Sequence, residues 1–140
     1  MNRDEDFKRQ IELTIQKSHR LLQTAKIDLE SGDNDSASSR AYYSVFHMME
    51  ACLLTKGLTY SKHSAVISAF NLHFIKPGIF PRIFYRNIEK LFKDRQLGDY
   101  EVESNIDNYD TSENIKIAED IVNSIEDFLK KEGKYGVDRD

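Results

Sequence analysis

Ser36, Arg40, Tyr43, His47 and Glu50 recur three or four positions apart in a stretch otherwise dominated by Ala41, Tyr42, Val45, Phe46, Met48, Met49, Cys52 and Leu53. At that spacing all five share one helical face, so a polar stripe crosses an apolar helix. An arginine in such a setting must meet a carboxylate, a carbonyl or an anionic ligand, because a buried unpaired charge is strongly destabilising. Arg95 poses the same problem. A stripe of Phe84, Ile88, Leu91 and Phe92 leads to it one turn further on, near a helix end where the dipole favours a cation, with Asp99 four residues on and Tyr100 beside it. Two readings compete. In one, each arginine is an ion-pair member that fixes helix register, Arg95 with Asp99 and Arg40 with an acid such as Asp99. In the other, Arg40 and Arg95 converge on a cationic pocket suited to phosphate, since guanidinium groups grip oxyanions through paired hydrogen bonds.

Other chemistries find less support. His19, His47, His63 and His73 show no metal-ligand spacing and Cys52 adds none, so neither a metal nor a cofactor is expected. There is no phosphate-cradling glycine loop and no nucleophile elbow. Cys52 sits among apolar residues with no basic neighbour on its face, which predicts a packed thiol rather than a nucleophile. Tyr42, Phe46 and the other aromatics at helical spacing read as core.

The elements that position these residues are helical. Phe7, Ile11, Ile15, Ser18, Leu22, Ala25 and Leu29 advance by threes and fours, predicting a long amphipathic helix over 4–30 that Ser31-Gly32 ends. Asp33 or Asp35 can cap a second helix over 34–56, apolar nearly all round and so either the centre of a bundle or shared with a second subunit. Gly57 stops it. Ser61 is placed to start a shorter third helix holding Ala65, Val66, Ala69, Phe70 and Phe74. After Pro77-Gly78, Pro81 suits the first turn of a fourth helix running to about Gly98. Asp110 and Glu113 stand at capping-box spacing before the last helix, which carries Ile115, Ala118, Ile121, Val122, Ile125, Phe128 and Leu129. No strand, repeat or low-complexity tract is expected. The chain thus reads as one domain over 1–132 with a polar, flexible tail over 133–140.

With 140 residues the chain can bury a sizeable core, and a single cysteine excludes an internal disulfide. A polar N-terminus with no signal-peptide core, and no apolar run long enough to span a bilayer, predict a soluble, cytoplasmic protein without membrane contact. The net charge of −4 conceals two opposed regions. Residues 61–97 hold seven Lys/Arg against two acids, whereas 98–140 hold five against thirteen. These are either solvated faces that partly neutralise each other or a basic region that meets a phosphate-bearing ligand.

The ordered set Ser39-Arg40-Ala41-Tyr42-Tyr43-Ser44-Val45-Phe46-His47, Lys56-Gly57-Leu58, Ser61-Lys62-His63-Ser64-Ala65-Val66-Ile67, His73-Phe74 and Asp94-Arg95-Gln96-Leu97-Gly98-Asp99-Tyr100 resembles the HEPN domain family, in its branch of small stand-alone proteins. The resemblance covers about residues 5–132. It implies an all-α fold, an antiparallel up-and-down four-helix bundle with a short additional helix, commonly paired as a homodimer. It also implies action beside a minimal nucleotidyltransferase in a toxin–antitoxin-type pair. Several branches are metal-independent ribonucleases that use an arginine and a histidine four to six residues apart near a helix end. Arg95 matches that arginine, but positions 100–102 hold Tyr100, Glu101 and Val102, so the histidine is missing. Arg40 and His47 have a similar spacing on the second helix. Cleavage of RNA needs groups to take and return a proton, which a lone arginine does poorly. The expectation is therefore a nucleotide- or RNA-binding module with Arg40, Tyr43, His63, Arg95 and Tyr100 at the phosphate site. A ribonuclease using Arg40 and His47, or Arg95 and Tyr100, and a non-catalytic helical adaptor are the alternatives.

Overall fold

The computed structural model describes residues 3–100 and 106–132. Within them the chain forms α1 (Arg3–Glu30), α2 (Asn34–Leu54), α3 (His63–Phe70) continuing into a π-helical turn (Asn71–Ile75), α4 (Ile83–Tyr100) and α5 (Asn108–Lys131). Four long helices make the bundle and α3 is the short addition. Among the described residues there is no strand. The tail expected over 133–140 lies outside the described residues.

The helix periods place the core. On α1 the buried residues are Ile11, Ile15, Ser18, Leu22 and Ala25, the stripe read from spacing, with Phe7 and Leu29 packed at its edges. Helix α2 buries twelve of its 21 residues and packs against α1, α3, α4 and α5. Its apolar circumference is satisfied inside one chain, so it is the bundle's centre. Phe84, Ile88 and Leu91 of α4 and Ile115, Ala118, Ile121, Val122, Ile125 and Leu129 of α5 complete the interior. Phe70, Phe74, Phe80 and Phe84 plug one end, with successive ring centroids 5.4 to 6.2 Å apart.

The turns fix how these helices meet. Gly32, at φ 85°, lets Asp33 N–H reach the Asp28 carbonyl at 2.9 Å and closes α1, so α2 returns antiparallel along it. Asp33 then caps α2 by accepting from Ser36 N–H at 3.1 Å. Gly57, at φ 73°, closes α2 with Leu58 N–H on the Leu53 carbonyl at 3.0 Å; the helix proper ends at Leu54, short of Lys56.

Three boundaries correct the sequence reading. Lys62, not Ser61, precedes α3, and no side chain caps it; His63 stacked on Phe46, with centroids 4.2 Å apart, anchors that end by packing. Pro81 stands just ahead of α4, its carbonyl accepting from Phe84 N–H at 3.0 Å. Helix α5 starts a turn before the expected capping box, at Asp107, whose carboxylate accepts from Asp110 N–H at 2.8 Å. Its first core-facing residues, Thr111 and Asn114, are polar and so broke the apolar pattern. Asn114, fully buried, donates to Asp94 at 2.9 Å and accepts from Lys90, which bonds α4 to α5.

Candidate functional site

The start of α2 and the end of α4 lie unusually close. A Cβ on Gly98 would stand 3.3 Å from the Cα, Cβ and Oδ1 of Asp35, so the missing side chain is what permits the approach. Beside that contact a cleft of about 700 Å³ opens toward α1. Lys17 and Leu21 of α1 form one wall, Gly98 and Asp99 of α4 another, and α2 supplies Asp35, Ser36, Ser39, Arg40, Tyr43 and His47 along its length.

Arg40 stands on the wall of this cleft with its side chain 44% exposed. Its Nε donates to Asp28 Oδ2 at 2.7 Å. Among the described residues its two terminal amino groups have no hydrogen-bond partner, and Lys17 and Asp35 likewise make neither a hydrogen bond nor an ion pair. The acid on Arg40 is thus Asp28 and not Asp99. Because the left-handed turn at Gly32 folds α2 back on α1, a residue near the end of α1 faces the second turn of α2.

Arg95 is held differently, with its side chain only 13% exposed. Nε meets Asp99 Oδ2 at 2.7 Å, the i,i+4 pair read from sequence, and Nη2 donates to the Tyr43 hydroxyl at 2.8 Å. Its guanidinium lies over the Tyr43 ring at 5.2 Å and the Tyr42 ring at 5.7 Å. Arg95 does not line the cleft. It lies behind Tyr43 and Asp99, which do, so the two arginines address one cleft from different depths.

His47 lines the cleft and its Nδ1 is 3.2 Å from Glu50 Oε1. Burial pushes the His47 pKa below its ordinary value, Lys17 adds to this, and Glu50 opposes it only partly. The imidazole is therefore neutral near pH 7. His63 is one ring removed, its centroid 5.7 Å from that of Tyr43 and its Nδ1 2.9 Å from the Tyr42 hydroxyl. Its pKa is also lowered, first by burial and then by Arg95. Burial raises the Tyr42 hydroxyl well above the usual phenol range. Tyr100 closes α4, and its side chain lies outside the described residues, as do Glu101 and Val102. Cys52 is buried and burial pushes its thiol pKa far up, as a packed thiol requires. Among the described residues no cluster of His, Cys, Asp or Glu could hold a metal, and no helix is long and apolar enough to cross a membrane.

Sequence reasoning found Arg40, Tyr43, His47 and Asp99, and missed Lys17, Asp28, Asp35 and Gly98. Lys17 is an ordinary lysine beside the buried Ser18, with no pattern to single it out.

The all-helical bundle agrees with what similarity shows. Residues 11–128 match the HEPN domain family. A UPF0332 protein of Thermotoga maritima is 32% identical over 120 residues, 86% of this chain and 91% of its own. Two proteins of Methanocaldococcus jannaschii provisionally named toxins are also similar. One is 37% identical over 97 residues, 69% of this chain and 72% of its own; the other is 32% identical over 129 residues, 92% and 83%. This chain belongs to the HEPN domain family.

Proposed function

We propose that the protein is a nucleotide- or RNA-binding module and the toxin half of a toxin–antitoxin-type pair, working as a homodimer beside a minimal nucleotidyltransferase. One observation carries the binding part of this reading: among the described residues, Arg40 lines an open cleft with both terminal amino groups unengaged, and Lys17, also without a hydrogen-bond or ion-pair partner, stands in the same cleft. A phosphate entering there gains charge-assisted hydrogen bonds from a guanidinium fork without first breaking the Asp28 pair, which uses only Nε. Tyr43 offers a ring for a base or ribose. Arg95 props Tyr43 and Asp99 from behind, His63 acts one layer further out through Tyr42, and Tyr100 ends the helix that carries Arg95. The toxin part rests on the names of the similar proteins, and the nucleotidyltransferase and the dimer on the family resemblance.

The test is calorimetric titration of the whole chain with ATP and with a short single-stranded RNA. Wild-type protein is expected to bind, and an Arg40→Ala, Arg95→Ala double variant that keeps its helical circular dichroism is expected to lose most affinity. Unchanged affinity in that folded variant overturns the reading. Co-purification with the product of an adjoining nucleotidyltransferase reading frame tests the pairing, and its failure at matched expression removes that part.

A second reading, RNA cleavage without metal, is favoured by one feature: His47, held neutral by burial, shares the cleft with Arg40. A neutral imidazole can accept the 2′-hydroxyl proton as that oxygen bonds to phosphorus, and the imidazolium so formed can return a proton to the 5′-oxygen as its bond to phosphorus breaks, while Arg40 and Lys17 hold the phosphate. Intact tRNA and messenger RNA after incubation with partner-free protein in chelator would sink it.

A further inference from the structure

The charges in the α1–α2–α4 cleft are not mixed but sorted along it. Asp35 and His47, both on its α2 wall, are twelve residues apart, which is about 18 Å of helix at 1.5 Å per residue. At one end Gly98 brings α4 against Asp35, and Asp99 follows Gly98 directly, so the two carboxylates that line the cleft among the described residues lie there. Lys17 belongs to the other end. Asp28 pairs with Arg40 at 2.7 Å and α1 runs antiparallel to α2, so stepping back eleven residues along α1 to Lys17 leads forward along α2 toward His47. Arg40 and the Tyr43 ring stand between.

Asp35 and Asp99 are acceptors only. Asp35 lies in the first turn of α2, and it has no hydrogen-bond or ion-pair partner among the described residues. Asp99 has Oδ2 on Arg95, and its partly exposed side chain lines the cleft. A ligand that fills the cleft must therefore bring an anion for Arg40 and Lys17, hydrogen-bond donors for the two aspartates and a flat ring for Tyr43. An oxo group placed against either carboxylate would leave two acceptors facing each other, a pairing that costs affinity because neither finds a donor.

We infer that the cleft selects nucleotides whose base carries an exocyclic amino group, the amine donating to Asp35 or Asp99 while the phosphate lies on Arg40 and Lys17. This rests on the nucleotide-binding reading above and narrows it to a substrate class: adenine, cytosine and guanine over hypoxanthine and uracil.

The test compares nucleotides that differ by amino against oxo, AMP with IMP and CMP with UMP, titrated into the whole chain. The expected result is a preference of about tenfold or more for AMP and CMP, the order of one hydrogen bond to a charged group. Asp35→Asn is expected to shrink that preference without weakening inorganic phosphate binding, since it removes a negative charge from the cleft, and adding Asp99→Asn to shrink it further. Arg40→Ala is expected to weaken all four nucleotides together. Should the double variant unfold because Arg95 loses its partner, the Asp35→Asn comparison decides alone. Equal binding within each pair, or a preference that survives Asp35→Asn undiminished, overturns the inference while the binding reading stands. If none of the four nucleotides binds, the binding reading fails and this inference falls with it.

Discussion

Two arginines in one chain have been given opposite tasks by their surroundings. Arg40 spends one nitrogen on Asp28 in a half-exposed pair, and such pairs contribute about 0–1 kcal/mol to stability. Arg95 is nearly enclosed, and removing it would strand the Asp99 carboxylate and the Tyr43 hydroxyl, which should cost about 1–3 kcal/mol. Arg40→Ala should therefore lower nucleotide affinity roughly 10- to 100-fold with little change in urea midpoint, and Arg95→Ala should do the reverse, losing more stability than affinity. A single calorimetric and urea comparison of the two variants separates a ligand group from a supporting one. Histidines 47 and 63 add a pH dependence. Both have folded pKa values below the unfolded value of about 6.5, so below that pH the unfolded chain takes up protons that the native state resists. Their contribution is fully present above about pH 6.5 and is lost as pH falls toward the folded values. Melting temperature should fall across that window, and His47→Gln with His63→Gln should flatten part of the slope. A slope unchanged by the double substitution would assign it to carboxylates instead.

At the level of helices, the contact between Gly98 and Asp35 sets how wide the cleft can be. Glycine inside a helix sacrifices roughly 0.5–1 kcal/mol against alanine, so its presence in α4 wants a reason, and the 3.3 Å approach to the Asp35 backbone supplies one. Gly98→Ala should be near neutral, its helix gain offset by a slight shift of α2. Gly98→Val meets Asp35 Cα with two more methyl groups and should destabilise by about 1–3 kcal/mol while disturbing the acidic end of the cleft. Urea titration of both variants, read beside AMP binding, checks this; a fully stable Gly98→Val protein would mean that the helices are free to part. Such a contact was not legible in the sequence, where Gly98 looks like a helix terminator, because what it touches lies 63 positions away. The same limit hid Asp28 as the partner of Arg40, since only the turn at Gly32 decides which residue of α1 faces the second turn of α2. What could be read was whatever repeats along one helix: the α1 stripe from Phe7 to Leu29, the α2 polar face, and the Arg95–Asp99 pair one turn apart. The start of α5 was misread for a related reason. Thr111 and Asn114 occupy core positions with polar side chains, and a pattern that looks for apolar residues begins at Ile115.

Across the whole molecule, α2 is the element that every other packs upon, and Cys52 lies on it with no exposed surface. That position makes the one thiol a reporter of the entire bundle. Cys52 belongs to the same buried cluster as Met48, Leu53 and the α5 stripe, so fraying of α1 at its start, or loosening of the α3 turn, should not by itself expose the sulfur. Burial also holds the thiol protonated at neutral pH, so the native rate of reaction with an aromatic disulfide reagent should be negligible by two independent causes. The expected outcome is that Cys52 reacts only through global unfolding: its labelling rate under native conditions, divided by the rate in urea-unfolded chain, should give the same free energy as the urea transition followed by circular dichroism. Nucleotide bound in the cleft should slow labelling by the ratio that its own dissociation constant dictates, although the cleft lies on the outer face of α2 and no atom of the ligand would approach the sulfur. Labelling that is fast in the native state, or indifferent to urea stability, would show that α2 can be uncovered without dissolving the bundle, and that the helix carrying Arg40, Tyr43 and His47 moves as a unit of its own.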